Sequence, residues 1–289
     1  MSKNILVAGA SGALGKEILE ELKPRGHAAF ALVRNVEKLG GHYSFAEKVH
    51  IADARNAESL KGVCDETDAV ISTVGASLQL GLTKDKSSFF DTDHKANKNL
   101  LDEALRAGVK KFVYVSMFSG NDKLKGVVYA DAHEAFVNDL KQSGIDYAVV
   151  RPSGFFYLFE EILKQAKRGR VILAGDGRAK TNPVHERDVA FACIDALTSN
   201  EKEIDVGGPD IFTRREIAEI CFEVLEKKPK INTLPAGFMR AMITPVNLFD
   251  RRLYDLLSFG IAVFTNDIVA PKTGKYHLRD YLKTLSETS

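Results

Sequence analysis

The 289-residue chain has no tryptophan, three cysteines and eight prolines, and nowhere an apolar run near the ~20 residues that span a bilayer. The strongest candidate, Phe259-Gly260-Ile261-Ala262-Val263-Phe264, is far too short, so no spanning segment is expected. Cys64, Cys193 and Cys221 are odd in number, distant from one another and form no C-x-x-C pair. That excludes a disulfide framework and points to reduced thiols in a cytoplasmic protein. Excess charge is missing as well. Forty basic against 39 acidic residues leave a net +1, without the concentrated basic surface that nucleic acid demands. His133-Glu134 and His185-Glu186 lack a second histidine four residues after the first, so the zinc-hydrolase pattern fails and no metal is expected. Met1-Ser2-Lys3-Asn4 leads directly into the apolar run that begins at Ile5, so no signal peptide is expected.

What is present is organised around Asn4-Ile5-Leu6-Val7-Ala8-Gly9-Ala10-Ser11-Gly12-Ala13-Leu14-Gly15. Four unbroken apolar residues predict a strand buried on both faces, and glycines spaced G-x-x-G-x-x-G follow at once. Leu14, Ile18, Leu19 and Leu22 then share one helical stripe, opposite Lys16, Glu17, Glu20 and Glu21. A helix that opens inside a glycine run offers free backbone amides and the positive end of its dipole to an anion. Gly9, Ser11, Gly12, Ala13, Leu14 and Gly15 are therefore expected to hold the pyrophosphate of a nucleotide; an ordinary structural turn is the competing reading.

The second buried strand, Ala28 to Val33, ends at Arg34. In dinucleotide folds this position faces the adenosine ribose, where a carboxylate suits NAD and an arginine accommodates the 2′-phosphate of NADP. NADP is expected. Asp53 closes a third strand, Lys48 to Ala52, and either accepts from the adenine amino group or merely starts a loop. Strand four, Ala69 to Ser72, runs into Thr73-Val74-Gly75-Ala76, small enough for a cofactor to lie across the sheet. Gln79 to Ser88 is polar and without period, and predicts a surface loop. Strand five is Phe112 to Val115 and ends at Ser116. Five apolar strands alternating with helices predict an α/β fold, a doubly wound parallel Rossmann sheet with ligands at the carboxyl edge.

Tyr129 and His133 are four residues apart and share a helical face. With the glycine run, Arg34, Phe112-Val113-Tyr114-Val115-Ser116 and Ser143-Gly144-Ile145-Asp146-Tyr147-Ala148-Val149-Val150-Arg151-Pro152, the chain resembles the atypical short-chain dehydrogenase/reductases of the NmrA-like kind. Gly175-Asp176-Gly177, Asn182-Pro183-Val184-His185-Glu186-Arg187-Asp188-Val189-Ala190 and Val206-Gly207-Gly208-Pro209 are similar to the second half of such proteins, chlorophyllide vinyl reductases among them. The resemblance covers roughly residues 4 to 225. It implies a catalytic set in which Ser116 polarises a carbonyl and Tyr129 moves the proton. A lysine four residues after the tyrosine would hold the ribose and lower the phenol's pKa. Here His133 stands in that place. A histidine is mostly neutral at pH 7, so it assists the tyrosine less, although it can still meet a ribose hydroxyl.

After strand six, Tyr147 to Val150, Pro152 and Gly154 turn the chain over the sheet edge where the nicotinamide is expected; Pro152 and Phe155 are cofactor candidates. Phe155, Phe156 and Tyr157 form an apolar substrate wall or belong to the core of the next helix. Val171 to Ala174 and Thr181 to Val184 flank Gly175-Asp176-Gly177-Arg178, which predicts a hairpin. Residues 234–264 carry many apolar groups, expected as intramolecular core, with a homo-oligomer contact or peripheral membrane docking as alternatives. The expected organisation is a cofactor core over 1–152, completed by about 183–206, and a smaller C-terminal substrate or lid portion over 153–182 and 207–289. The expected function is an NADP(H)-dependent oxidoreductase delivering hydride to a small molecule: an apolar carbonyl, a quinone-like acceptor or an activated alkene. A non-catalytic NADP(H) sensor, regulator or assembly factor is the rival.

Overall fold

The structure, a computed structural model, describes residues 2–78, 87–120 and 122–287. Most of the loop expected over Gln79 to Ser88 thus lies outside the described residues. In chain order the elements begin β1 (Asn4–Ala8), α1 (Ala13–Leu22), β2 (Ala28–Val33), β3 (Lys48–Ile51), β4 (Ala69–Ser72), α2 (Ala96–Arg106), β5 (Lys111–Val115), α3 (Val128–Gln142) and β6 (Asp146–Pro152). They continue with α4 (Glu160–Lys167), β7 (Val171–Ala174), β8 (Lys180–Thr181), α5 (Glu186–Asp195), β9 (Glu203–Val206), β10 (Phe212–Thr213) and α6 (Arg214–Val224). Last come β11 (Ile231–Leu234), α7 (Ala236–Ile243), α8 (Arg251–Thr265) and α9 (Leu278–Glu287).

Seven strands form one sheet in the order β3-β2-β1-β4-β5-β6-β9, each neighbouring pair parallel. The architecture is the expected Rossmann-like α/β fold. Alternation along β1 explains its burial on both faces. Ile5 and Val7 pack with Ile18, Leu19 and Leu22 of α1 and with Val189 and Cys193 of α5, whereas Leu6 and Ala8 join Leu100 and Leu101 of α2 and Phe136 of α3. Each fully buried leucine or isoleucine contributes roughly 1.5–3 kcal/mol by leaving water. Because β1 pairs with β2 on one side and β4 on the other, chain direction across the sheet reverses beside it, and a crevice opens at its carboxyl end.

A third apolar cluster joins Phe159, Leu163, Ile217, Phe222 and Leu282 from α4, α6, α9 and the segment before α4. The expected capping box opens α6: Thr213 takes the Glu216 amide, and Glu216 takes that of Thr213. The expected hairpin does not form. Gly175 and Gly177 have φ of +73° and +77° and do turn the chain, yet β7 pairs in parallel with β11, while β8 pairs antiparallel with β10. Turn chemistry sets the local reversal, and long-range packing chooses the strand partner.

Residues 234–264 divide in two. Phe259 and Ala262 of α8 are buried with Tyr129, in agreement with a core role. Phe238, Met242, Leu248 and Phe249 are exposed, and α7 buries none of its residues, which corrects the expectation for that part. No helix among the described residues is long and apolar enough to cross a membrane.

Candidate functional site

The glycines after β1 are required sterically. Gly9 has φ +79°, and a Cβ there would lie 2.6 Å from Thr73 Oγ1; at Gly15 it would lie 2.7 Å from Ala10 Cα. Thr73 closes the back of the turn by donating its hydroxyl to Ala8 O at 3.0 Å. The Gly12 amide donates to Gly9 O at 2.9 Å. Gly12 then occupies the N-cap of α1 with no side chain capping it. The amides of the first helical turn, from Ala13 to Gly15, accordingly lack intrahelical acceptors. Gly12 and Ala13 are exposed. This backbone cradle, which a Cβ would fill, fits a diphosphate.

Arg34 is exposed directly after β2, and its charge reaches Asp53. Asp53 places Oδ1 3.0 Å from Arg55 Nε and Oδ2 2.6 Å from Arg55 Nη2. Hydrogen bonds from Arg55 outweigh partial burial and hold its carboxyl below the ordinary range. The local role left open by the sequence is thus present at Asp53. Arg55 also donates to Ser87 Oγ at 2.6 Å, tying the end of β3 to the segment before α2.

Tyr129 and His133 are brought together, their rings 4.7 Å apart and edge to face. Tyr129 is 9% exposed and packs against Phe89 and Phe259, with centroids at 5.2 and 4.5 Å. Burial raises its phenol well above the ordinary value, and Asp93 adds to the effect. Ser116 is not joined to Tyr129 by a hydrogen bond among the described residues. Its Oγ accepts instead from Arg151 Nη1 at 3.4 Å, and Arg151 is fixed by Glu134 and Glu203.

His133 is 3% exposed, and both its nitrogens face protein. Nδ1 lies 2.6 Å from Tyr114 Oη, and Nε2 lies 3.4 Å from Asp93 Oδ1. Burial lowers the imidazole pKa to about 3, so the Asp93–His133 contact is between a neutral ring and an acid rather than an ion pair. Burial likewise raises Asp93 to about 7. Asp93 Oδ1 also accepts the Ala76 amide at 3.0 Å and would lie 3.1 Å from a Cβ at Gly75, so the loop after β4 and α3 share one carboxyl. Sequence reasoning missed Asp93. Its signal was the stripe Phe89, Asp93, Asn97, Leu101, whose four-residue spacing places polar groups on the buried side of a helix.

At the end of β6, Pro152 is buried and its carbonyl accepts from the Phe118 amide at 3.0 Å. Phe155 stacks on Tyr157 at 5.6 Å and 12°, and both rings are partly exposed. Phe156 is core, edge-on to His185. His185 caps α5 by accepting the Arg187 amide at 3.0 Å. Glu186, missed by the sequence reading, is buried with Oε1 unpartnered, and burial raises it to about 7. No cluster among the described residues could hold a metal ion. All three cysteines are buried and free, and burial pushes the thiols of Cys64 and Cys221 up to about 12.

The family profile described as NAD(P)H-binding matches residues 9–200, more than half of the sequence. The chain belongs to the NAD(P)H-binding family. Its resemblance to the atypical short-chain dehydrogenase/reductases stands, and a nicotinamide nucleotide is the cofactor class. Among relatives of this NAD(P)H-binding chain, the mitochondrial NADH dehydrogenase [ubiquinone] 1 alpha subcomplex subunit 9 of Arabidopsis thaliana is 28% identical over 83% of this chain and 62% of its own length. The chloroplastic divinyl chlorophyllide a 8-vinyl-reductase of Cucumis sativus is 28% identical over 94% of this chain and 71% of its own length. The photosystem II assembly factor Ycf39 of Trieres chinensis is 22% identical over 89% and 80%. Among solved structures, the NADPH-dependent quinone oxidoreductase QOR2 of Escherichia coli, complexed with NADPH, superposes with a TM-score of 0.77 over 97% of this chain and 99% of that one, at 21% identity. That likeness concerns the fold.

Proposed function

We propose that the protein is an NADP(H)-dependent oxidoreductase of the NmrA-like branch whose preferred acceptor is quinone-like rather than a plain carbonyl. The observation that carries this reading is the uncapped, glycine-lined opening of α1, with Arg34 at the end of the adjacent strand to meet a 2′-phosphate. When bound, the cofactor supplies hydride; the chain supplies position and electrostatics. Phe155 and Tyr157 present an apolar face to a flat acceptor, and 153–182 with 207–289 act as the substrate or lid portion.

The preference within the acceptor class follows from Tyr129. Burial pushes its phenol up, and Asp93 and Tyr157 add to the effect, so it is a weak proton donor. A simple ketone needs a proton as its oxygen becomes an alkoxide. A quinone needs it far less, since the product anion is stabilised by its ring and takes its proton from water. The balance is one hydride and one proton added to the quinone to give the hydroquinone.

The second reading, a nucleotide-binding sensor or assembly factor without turnover, is favoured by the Tyr114–His133–Asp93 network in the place of the family's lysine. Relatives named for chloroplast and mitochondrion make an organelle as good a candidate compartment as the cytoplasm. Loss of NADPH absorbance against panels of quinones, enones and aldehydes tests both readings. Quinone-dependent oxidation is expected; tight NADPH binding with no oxidation by any acceptor selects the sensor.

A further inference from the structure

Three rings enclose that of Tyr129. His133 lies one turn further along α3 with its centroid 4.7 Å away, Phe89 meets the phenol edge to face at 5.2 Å, and Phe259 of α8 packs on it at 4.5 Å. Rings this close are in van der Waals contact, so no acceptor atom fits between them. The 9% of Tyr129 that stays exposed is enough for contact with water and too little for a substituted carbonyl to seat its oxygen on the hydroxyl. Of the three rings, Phe259 alone comes from the C-terminal third of the chain. Its helix is pinned close to this contact. Val263 O, one turn further on, accepts from Arg214 Nη2 at 2.8 Å, and Ala262 O accepts from Asn266 Nδ2 at 2.9 Å. Arg214 is 1% exposed, its guanidinium 5.1 Å from the centroid of Phe264. A buried cation here meets the negative end of the α8 dipole, so the ring of Phe259 is held against Tyr129.

We propose that Phe259 is the specificity-determining residue of the acceptor site, its ring barring from the Tyr129 hydroxyl those acceptors that must take a proton as they are reduced. The inference rests on the oxidoreductase reading and gives its acceptor preference a cause. A carbonyl takes hydride at carbon from the reduced cofactor and a proton at oxygen from Tyr129 Oη, which yields an alcohol. The oxidised cofactor and a tyrosinate remain, and the tyrosinate recovers its proton from water. That transfer requires the carbonyl oxygen within hydrogen-bond reach of Oη, in space that Phe259 restricts. A quinone does not require it, because water protonates the product. Removal of the ring acts on Tyr129 in two ways. It opens a path to the hydroxyl, and it admits water, which relieves the burial that raises the phenol.

The test is Phe259→Ala, with Phe259→Leu as a second variant that keeps more of the buried apolar volume should the first fail to fold. NADPH oxidation is followed with a benzoquinone and with an aromatic ketone. For the ketone, kcat/KM is expected to rise by about tenfold or more, and to return to the native level when Tyr129→Phe is added; for the quinone it stays within about threefold of native. Acetylation of tyrosines by N-acetylimidazole, mapped by mass spectrometry, needs no acceptor. Tyr129 is expected to be protected in the native chain and labelled in the variants. Quinone turnover with no gain on the ketone, a gain shared equally by the quinone, or a gain that survives Tyr129→Phe overturns the inference and leaves the oxidoreductase reading standing. Ready labelling of Tyr129 in the native chain overturns it in the same way, whatever the variants do. Absence of turnover with every acceptor removes the reading itself, and the inference with it.

Discussion

The hydroxyl of Tyr114 on β5 and Nδ1 of His133 on α3 lie 2.6 Å apart in the interior. With the imidazole neutral, the direction of this bond follows the ring tautomer, and Nε2 makes no hydrogen bond among the described residues. Replacement of His133 by Leu strands a buried hydroxyl and is expected to cost ~1–3 kcal/mol. Tyr114→Phe in the same chain should recover part of that loss. A double-mutant cycle by urea denaturation measures the coupling, and strictly additive losses would remove this bond from the account.

Asp93 and His133 should shape stability against pH in opposite directions. Asp93 is raised by burial from 3.8 to about 7, so across that window the folded state keeps a proton that the unfolded chain releases. Its contribution is present below about 4 and lost as pH rises through about 7. His133 is lowered from 6.5 to about 3, and its contribution is present above 6.5 and lost as pH falls toward 3. Asp93→Asn is therefore expected to make stability rise more from about pH 4 to about pH 7 than it does in the native chain, by on the order of a few kcal/mol. Identical pH dependence of the urea midpoint in both proteins would mean that Asp93 is already ionised in the native state.

Gly9→Ala places a methyl 2.6 Å from Thr73 Oγ1 at a φ of +79°. Strain of ~1–3 kcal/mol should displace the turn and weaken NADPH binding by about tenfold or more. Titration calorimetry checks this, and native affinity in a stable variant would place the nucleotide elsewhere.

Removal of the Arg34 guanidinium should weaken NADPH by about 10–100-fold, the worth of a hydrogen bond to a charged group, with little effect on NADH. Equal losses for the two nucleotides would end the assignment of Arg34 to the 2′-phosphate.

If the acceptor is a quinone, Tyr129→Phe should leave turnover within about threefold of native, because proton delivery from this phenol is not required. A loss of about 100-fold or more would restore the tyrosine to the proton-transfer role that the family resemblance implies.

The amino-acid sequence by itself determined whatever depends on neighbours a few residues apart. The alternation of Ile5 to Ala8, the stripe Leu14–Ile18–Leu22, the glycine spacing at 9, 12 and 15 and the reciprocal cap Thr213–Glu216 all act within one turn or one strand. Their periodicity and backbone demands were readable, and with them the order of strands and helices and the glycine-lined opening of α1. Only the tertiary structure decided which distant groups meet. The partner of β7 is 60 residues further on, at Val171 and Ile231, and the local signal of Gly175 and Gly177 says nothing of it. His133 looked like a substitute for a lysine facing the cleft, but burial among Tyr114, Asp93 and Tyr129 turns both its nitrogens inward. The apolar groups of α7 and α8 look alike along the chain, yet only those that find a partner, as Phe259 finds Tyr129, leave the solvent. Burial is a property of the assembled contacts, and it is burial that set the charge states of this site.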